Sequence, residues 1–130
     1  MNYAEAFYGT TPLMKASENG YLEIFRELCK RGANVNAARP DGATSLIMAS
    51  QNGHLEIARE LCARGANVNA SRTDNGATAL ISASYQGHLE VARLLLQKGA
   101  DKSPIDSFGY TAFSAATGPH KAALQALLKL

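Results

Sequence analysis

The chain has no long apolar run, no dense run of lysine or arginine, and only two cysteines among its 130 residues. No stretch approaches the roughly 18 apolar residues that a membrane span requires, so we expect no membrane partner. The 13 basic residues nearly balance the 11 acidic ones, which gives no reason to expect a nucleic-acid partner. The first eight residues lack the basic region and apolar run of a signal peptide, so we expect a cytoplasmic protein.

The usual patterns of an active site are also missing. No combination of serine, histidine and aspartate matches a nucleophile elbow, and no glycine-rich stretch matches a phosphate-binding loop. The carboxylates Glu23, Glu56 and Glu90 form a periodic row, which is typical of a solvated face and not of an acid–base pair. We therefore expect no enzyme activity and no cofactor.

What the chain does contain is one block repeated about every 33 residues. The segment from Leu22 to Ala37 returns almost unchanged from Leu55 to Ala70, and more loosely from Leu89 to Asp101. A repeat of this length indicates one supersecondary unit that is copied and stacked. Threonines mark the period with steps of 33, 34 and 33 residues: Thr11, Thr44, Thr78 and Thr111.

Each copy predicts two helices joined by a tight turn. Glycine in the opening Gly-x-Thr permits a positive φ, and the threonine hydroxyl can cap the helix that follows. A second glycine ends this short helix, at Gly20, Gly53 or Gly87. Apolar residues spaced one, three and four apart then predict one buried face on the second helix. These stripes are Ile24, Phe25, Leu28 and Cys29; Ile57, Ala58, Leu61 and Cys62; and Val91, Ala92, Leu95 and Leu96.

The whole pattern resembles the ankyrin repeat over about residues 9–130. The resemblance is carried by Gly-x-Thr-Pro-Leu, then Gly-His-Leu-Glu-Ile/Val, then Gly-Ala-Asn/Asp-Val-Asn-Ala. It implies an all-α solenoid of helix–turn–helix pairs joined by β-hairpin-like loops. We expect a single domain over residues 1–130, with repeats at about 6–38, 39–71, 72–105 and 106–130.

The copies depart from the family pattern in three ways. The third copy has one extra residue before Gly76, so the loop 71–75 should bulge or extend. In the fourth copy Thr111 and His120 are nine residues apart, where the corresponding step in earlier copies is ten. The family's Thr-Pro-Leu-His loses its histidine in every copy, and apolar residues replace it in three: Met14, Ile47 and Ile81.

Equivalent histidines and cysteines in adjacent copies are expected to be structural. His54 and His88 lack a third ligand at nearby spacing, and zinc sites need three or four. The resemblance implies that each imidazole bonds neighbouring loop backbone. Cys29 and Cys62 lie on packed helices about 8–10 Å apart, beyond the limit of about 7 Å for a disulfide. We expect two small, buried, unpaired side chains and no metal site.

Two asparagines in Asn-Val-Asn-Ala leave an alternative open. The resemblance allows hydroxylation of Asn36 and Asn69 by a dedicated oxygenase in animal cells. We expect instead that each is a loop residue whose side chain bonds its own backbone.

Residues that break the repeat are the candidates for contacts with a partner. By resemblance, the loop tips and the exposed side of the first helix form a concave contact surface, and aromatic residues and arginine are enriched in hot spots. Alternatively, Phe7 and Tyr8 could cover the N-terminal edge, and Phe108 could fold back onto the last repeat. The predicted partner-binding residues are Tyr8, Arg39, Asp41, Met48, Gln51, Arg72, Asp74, Asn75, Tyr85, Gln86, Phe108 and Tyr110.

The resemblance implies a non-enzymatic module that binds another protein through its concave face and loop tips. We expect a monomer. Two alternatives remain open. The chain could be the ankyrin segment of a larger protein whose activity lies elsewhere, an alternative motivated by the apolar final helix. It could also be a structural solenoid that assembles end to end.

Overall fold

The computed structural model describes residues 9–130, and this part of the chain forms eight α-helices. Turns of two or three residues join the helices of the first three pairs, so the two helices of each pair are antiparallel. The helices are α1 (Pro12–Asn19), α2 (Leu22–Lys30), α3 (Ser45–Gln51), α4 (Leu55–Ala63), α5 (Ala79–Tyr85), α6 (Leu89–Gln97), α7 (Ala112–Ala115) and α8 (Lys121–Leu128).

The four helix pairs stack in chain order and form two layers. In the first layer α1, α3, α5 and α7 contact one another in sequence, and in the second layer α2, α4, α6 and α8 do the same. One continuous core of aliphatic side chains and Phe25 fills the space between the layers. Helices with two isolated β-bridges in the loops and no extended sheet among residues 9–130 confirm the predicted all-α solenoid.

Threonines and glycines take the roles that the sequence predicts. The Thr44 and Thr78 hydroxyls accept hydrogen bonds from the third residue of the helix that follows, at 3.2 and 3.1 Å. Gly20 and Gly53 have φ of 76° and 74°. A Cβ on Gly53 would lie 2.8 Å from Cε1 of His88, so this turn needs glycine both for its backbone and for the imidazole packed on it.

The loops between pairs are narrow hairpins, and the extra residue of the third copy widens one of them. The N–H of Arg39 donates to the carbonyl of Ala43, whereas the N–H of Arg72 donates to that of Ala77, one residue further along. The prediction of a bulged or extended loop at 71–75 is therefore confirmed.

In the second, third and fourth helix pairs, a side chain in the turn between the two helices bonds a backbone carbonyl of the preceding pair. Nε2 of His54 lies 3.0 Å from the carbonyl oxygen of Glu18, and Nε2 of His88 lies 3.0 Å from that of Gln51. These bonds confirm the structural role expected of the two histidines, but the expected partner is wrong. Both acceptors are carbonyls in the last turns of α1 and α3, and not loop backbone. In the shortened fourth copy, the Thr117 hydroxyl donates to the equivalent carbonyl.

The asparagines of Asn-Val-Asn-Ala form a second set of bonds between repeats. The Asn36 side chain donates to the Gly65 carbonyl at 3.0 Å and accepts from the Asn67 N–H at 2.8 Å. Asn69 makes the same two bonds one repeat later, at 3.4 and 2.7 Å. The prediction that these side chains bond their own backbone is wrong, because the loop of the following repeat lies alongside and offers a backbone donor and acceptor.

Met14 does more than replace a histidine with an apolar side chain. Its sulfur accepts a hydrogen bond from the Thr11 N–H at 3.4 Å, and Ser114 Oγ accepts from the Thr111 N–H at 2.9 Å. The first and fourth copies thus keep a side-chain acceptor at this position, whereas the second and third carry isoleucine there.

The prediction that Ile24 faces the core is wrong. Its side chain is 54% exposed, whereas the equivalent Ile57 and Val91 are each 2% exposed. Ile57 and Val91 belong to helix pairs that follow another pair in the stack, but α2 belongs to the first described pair. Phe25, its neighbour in the predicted stripe, is fully buried.

Cys29 and Cys62 are both free thiols, as predicted, but they are half-buried and not buried. Desolvation raises the pKa of both thiols. Since the thiolate is the reactive form, this environment disfavours nucleophilic or redox chemistry at neutral pH.

The last helix, α8, directs its apolar residues into the stack. Leu124 and Leu128 are buried, Leu127 is half-buried, and Lys121 and Lys129 are exposed. Packing against α6 and α7 therefore accounts for these three leucines, but Leu130, which follows the helix, is 90% exposed.

Three equivalent serines allow a matched test of buried hydroxyls. Ser17 and Ser84 each donate to the carbonyl four residues earlier at 2.7 Å, whereas the buried Ser50 hydroxyl has no partner among the described residues. We expect Ser84→Ala to lower the free energy of unfolding by about 1 kcal/mol, and Ser50→Ala to leave it unchanged or raise it. Urea titration followed by circular dichroism measures both; equal losses would contradict this interpretation.

Removal of the bond between repeats should destabilise the stack. In His88→Ala the Gln51 carbonyl loses its partner, and we expect the free energy of unfolding to fall by about 1–3 kcal/mol. His120→Ala is the matched control, since that imidazole is exposed and makes no hydrogen bond within residues 9–130. Its expected effect is below about 0.5 kcal/mol in the same urea titration. A similar loss in both variants would show that the His88 bond contributes nothing.

Candidate partner-binding surface

Two grooves lie between the first-layer helices and the hairpin loops, and they share Gln51 and Arg72. The first, which we call the polar groove, has a volume of about 550 Å³ and is lined by Glu18, Asn19, Arg39, Met48, Gln51, Asn52, His54 and Arg72. The second, the aromatic groove, has a volume of about 500 Å³ and is lined by Gln51, Arg72, Asn75, Ala77, Ile81, Ser82, Tyr85, Gln86, Asp106, Phe108 and Tyr110.

Three large aromatic side chains of the aromatic groove are open to solvent. Tyr85, the last residue of α5, is 58% exposed, and Phe108 and Tyr110 in the last hairpin are 74% and 44% exposed. The alternative that Phe108 folds back onto the last repeat is therefore wrong. Exposed aromatic side chains with fixed backbones are the kind of residue that anchors protein interfaces.

Charged residues at the hairpin tips pair with one another across the two grooves. Asp41 accepts from Arg39 at 2.9 Å and from Arg72 of the next hairpin at 3.3 Å. Arg72 also pairs with Asp74 at 2.7 Å, and this hydrogen bond lowers the pKa of Asp74 to about 2. The pKa of Arg72 is raised by the same bond, so this pair is fully ionised at neutral pH.

Backbone contacts also tie successive hairpins together. The Thr73 N–H donates to the Asp41 carbonyl at 2.8 Å, and its hydroxyl donates to the Pro40 carbonyl at 3.1 Å. One hairpin later, the Ser107 N–H donates to the Asn75 carbonyl at 2.8 Å. The loops therefore form a connected row that holds the groove residues in place before any partner binds.

The residue that opens a hairpin makes the same backbone hydrogen bonds in all three hairpins, but its charge differs between them. Its N–H donates to a carbonyl on the opposite arm, and its own carbonyl accepts from the N–H of the tip glycine. This hairpin-opening position is occupied by Arg39, Arg72 and Asp106. Asp106 is missing from the predicted set, although aligning the copies on Gly42 and Gly109 shows an aspartate where Arg39 stands.

Most of the predicted residues lie in the two grooves. Seven of the twelve line the aromatic groove: Gln51, Arg72, Asn75, Tyr85, Gln86, Phe108 and Tyr110. Arg39 and Met48 line the polar groove, and Asp41 and Asp74 pair with its arginines. Tyr8 lies outside the described residues.

The expectation that Met48 lies on an exposed side of its helix is wrong. Met48 is only 6% exposed and packs with Met14 and Ala43 in a small cluster of buried residues. Ile81 is missing from the predicted set, although it lines the aromatic groove with an exposure of 3%. Both residues therefore line a groove while almost all of each side chain is buried.

Within residues 9–130, no three His, Cys, Asp or Glu side chains are arranged so that they could hold a metal ion. No described helix is both long and apolar enough to cross a membrane.

Comparison with known proteins agrees with this architecture. A family model described as ankyrin repeats (3 copies) matches residues 1–72, 34–106 and 69–130. No curated protein shows significant sequence similarity to the chain. Since the family matches together span the chain from end to end, the protein belongs to the ankyrin repeat family.

Proposed function

We propose that the protein is a non-enzymatic interaction module that binds another protein through the aromatic groove and the adjoining hairpin tips. Ankyrin repeats are generally protein–protein interaction modules, which supports the coarser part of this proposal. The grooves lie along one side of the stack, between first-layer helices and loops, where the family's concave contact surface is expected.

The observation that carries the proposal is the exposure of three aromatic side chains around one groove. Tyr85, Phe108 and Tyr110 come from two different repeats but line the same space of about 500 Å³. Aromatic residues are enriched in hot spots, where truncation to alanine typically costs about 2 kcal/mol or more of binding free energy. Because the hairpins are bonded to each other, little conformational entropy is lost when a partner binds.

Truncation of the aromatic side chains tests this proposal. Proteins captured from a lysate of the source organism by the wild-type chain are identified by mass spectrometry, and the best-retained partner is purified. We expect Tyr85→Ala, Phe108→Ala or Tyr110→Ala to weaken its binding by about 30-fold each, corresponding to about 2 kcal/mol. Binding is measured by isothermal titration calorimetry, with circular dichroism to verify the fold.

Tyr21→Ala provides a matched control. Tyr21 is 54% exposed, almost as much as Tyr85, but it precedes α2 and lines neither groove. We expect its truncation to change the affinity less than threefold, since it lies away from the proposed interface. Equal effects of Tyr21→Ala and Tyr85→Ala, or no effect of either, would contradict the proposed surface.

End-to-end self-association is a second candidate, favoured by the exposed Ile24. The equivalent residues in later repeats are buried, so a second copy that stacked on this end could cover Ile24 in the same way. We expect the wild-type chain then to show a mass that rises with concentration in light scattering, and Ile24→Lys to remain monomeric. A wild-type chain that stays monomeric at millimolar concentration would rule this candidate out.

A further inference from the structure

In the last hairpin, the backbone N–H that follows the tip glycine is bonded by a side chain at a different position from that in the two hairpins before it. In those, the N–H that follows the tip glycine is bonded by the side chain just before that glycine, Asp41 Oδ1 at 3.0 Å or Asn75 Oδ1 at 2.9 Å. The last hairpin has Phe108 at that place. Asp106 takes over, and its Oδ1 accepts from both the Phe108 N–H and the Tyr110 N–H at 2.9 Å.

This arrangement leaves one oxygen of Asp106 unpaired, in a residue that lines the same groove as the three aromatic side chains. No donor within residues 9–130 pairs with Oδ2 of Asp106. In the other two carboxylates nearby, Asp41 and Asp74, both oxygens already accept at least one bond from Arg39, Arg72 or backbone. Asp106 is thus the carboxylate of the groove that keeps an oxygen available to a ligand.

No cation of the groove is free to neutralise that carboxylate. Arg72 is the single basic residue that lines the aromatic groove, and its guanidinium is bonded to Asp41 and Asp74. The five charged groups along this row of hairpin tips are two arginines and three aspartates, which gives a local excess of one negative charge.

We propose that the aromatic groove binds a lysine or arginine side chain of the partner protein. Its cationic end lies against Oδ2 of Asp106, and its aliphatic stem lies along the exposed rings of Tyr85, Phe108 and Tyr110. Aromatic faces attract cations, and a carboxylate beside them adds a charge-assisted hydrogen bond. An apolar side chain would leave that carboxylate desolvated and unpaired, which disfavours it. This inference rests on the proposed function, because it assigns the chemistry of the same groove.

The variant Asp106→Asn tests the carboxylate without removing the hydrogen bonds that hold the hairpin. The asparagine keeps Oδ1 as acceptor for the two backbone N–H groups. An uncharged amide NH2 replaces Oδ2, so the variant loses the negative charge and the available acceptor together. Asp101→Asn changes the net charge by the same amount in a loop that lines neither groove, where the aspartate accepts from Ser103. The two variants therefore differ in where the charge is lost, and not in how much.

The experiment selects peptides from a random displayed library on the wild-type chain. Peptides are kept only if the triple variant Tyr85→Ala/Phe108→Ala/Tyr110→Ala fails to bind them, which restricts the set to the aromatic groove. We expect the kept peptides to be enriched in lysine or arginine. Replacing that residue with glutamine, or using Asp106→Asn, should weaken binding about tenfold, the loss of one charge-assisted bond. Asp101→Asn should weaken it less than twofold.

The possible failures are distinguishable. If peptides that require the aromatic residues show no enrichment in lysine or arginine, or bind Asp106→Asn as tightly as wild type, the cation proposal is overturned and the proposed function stands. If every selected peptide binds the triple variant as well as wild type, the groove is not the binding surface and both proposals fail.

Discussion

One hydrogen bond recurs at every junction between the described repeats, from a side chain in the turn of one repeat to a carbonyl in the last turn of the preceding first-layer helix. His54 and His88 supply it with an imidazole, and Thr117 with a hydroxyl. The last carbonyls of a helix have no partner within the helix, and each of these bonds supplies one. The Glu18 carbonyl accepts a second bond, from Nδ2 of Asn52 at 2.9 Å. At Tyr85 the carbonyl is bonded by Thr117 while the ring stays 58% exposed, which is the arrangement that the proposed interface needs.

The residues that make these bonds are different from the residues that we propose bind a partner. The bonds from the turns, and those from Asn36 and Asn69, hold successive repeats in register through backbone groups. They do not involve the side chains at the hairpin tips. The tips are joined by their own bonds, among them the contact of Thr73 with Asp41 and Pro40. The position after the tip glycine differs between copies: Ala77 is 8% exposed and belongs to the core, whereas Tyr110 is 44% exposed.

How much could be predicted from the sequence depends on how far apart the interacting residues lie. Threonine caps, glycine turns and the widened loop at 71–75 depend on residues a few positions apart, and all were predicted. Contacts between repeats were harder to predict from the sequence. Asn36 bonds the next loop and not its own, Ile24 is exposed because no described pair precedes it, and Met48 is buried. A periodic pattern cannot distinguish these outcomes, since it describes every copy as if it had the same neighbours.

The change from arginine to aspartate at position 106 is visible in the sequence, but its reason is seen only in the contacts of the other hairpins. Arg72 is tolerated at the hairpin-opening position because Asp41 in the preceding hairpin and Asp74 in its own accept its guanidinium. An arginine at position 106 would find Asn75 and Phe108 at the corresponding places, neither of which carries a charge. Aspartate at 106 avoids that unpaired cation and supplies the acceptor that Phe108 lacks. The aspartate at position 106 and the exposed phenylalanine at position 108 therefore go together, because the first supplies the hydrogen-bond acceptor that the second lacks.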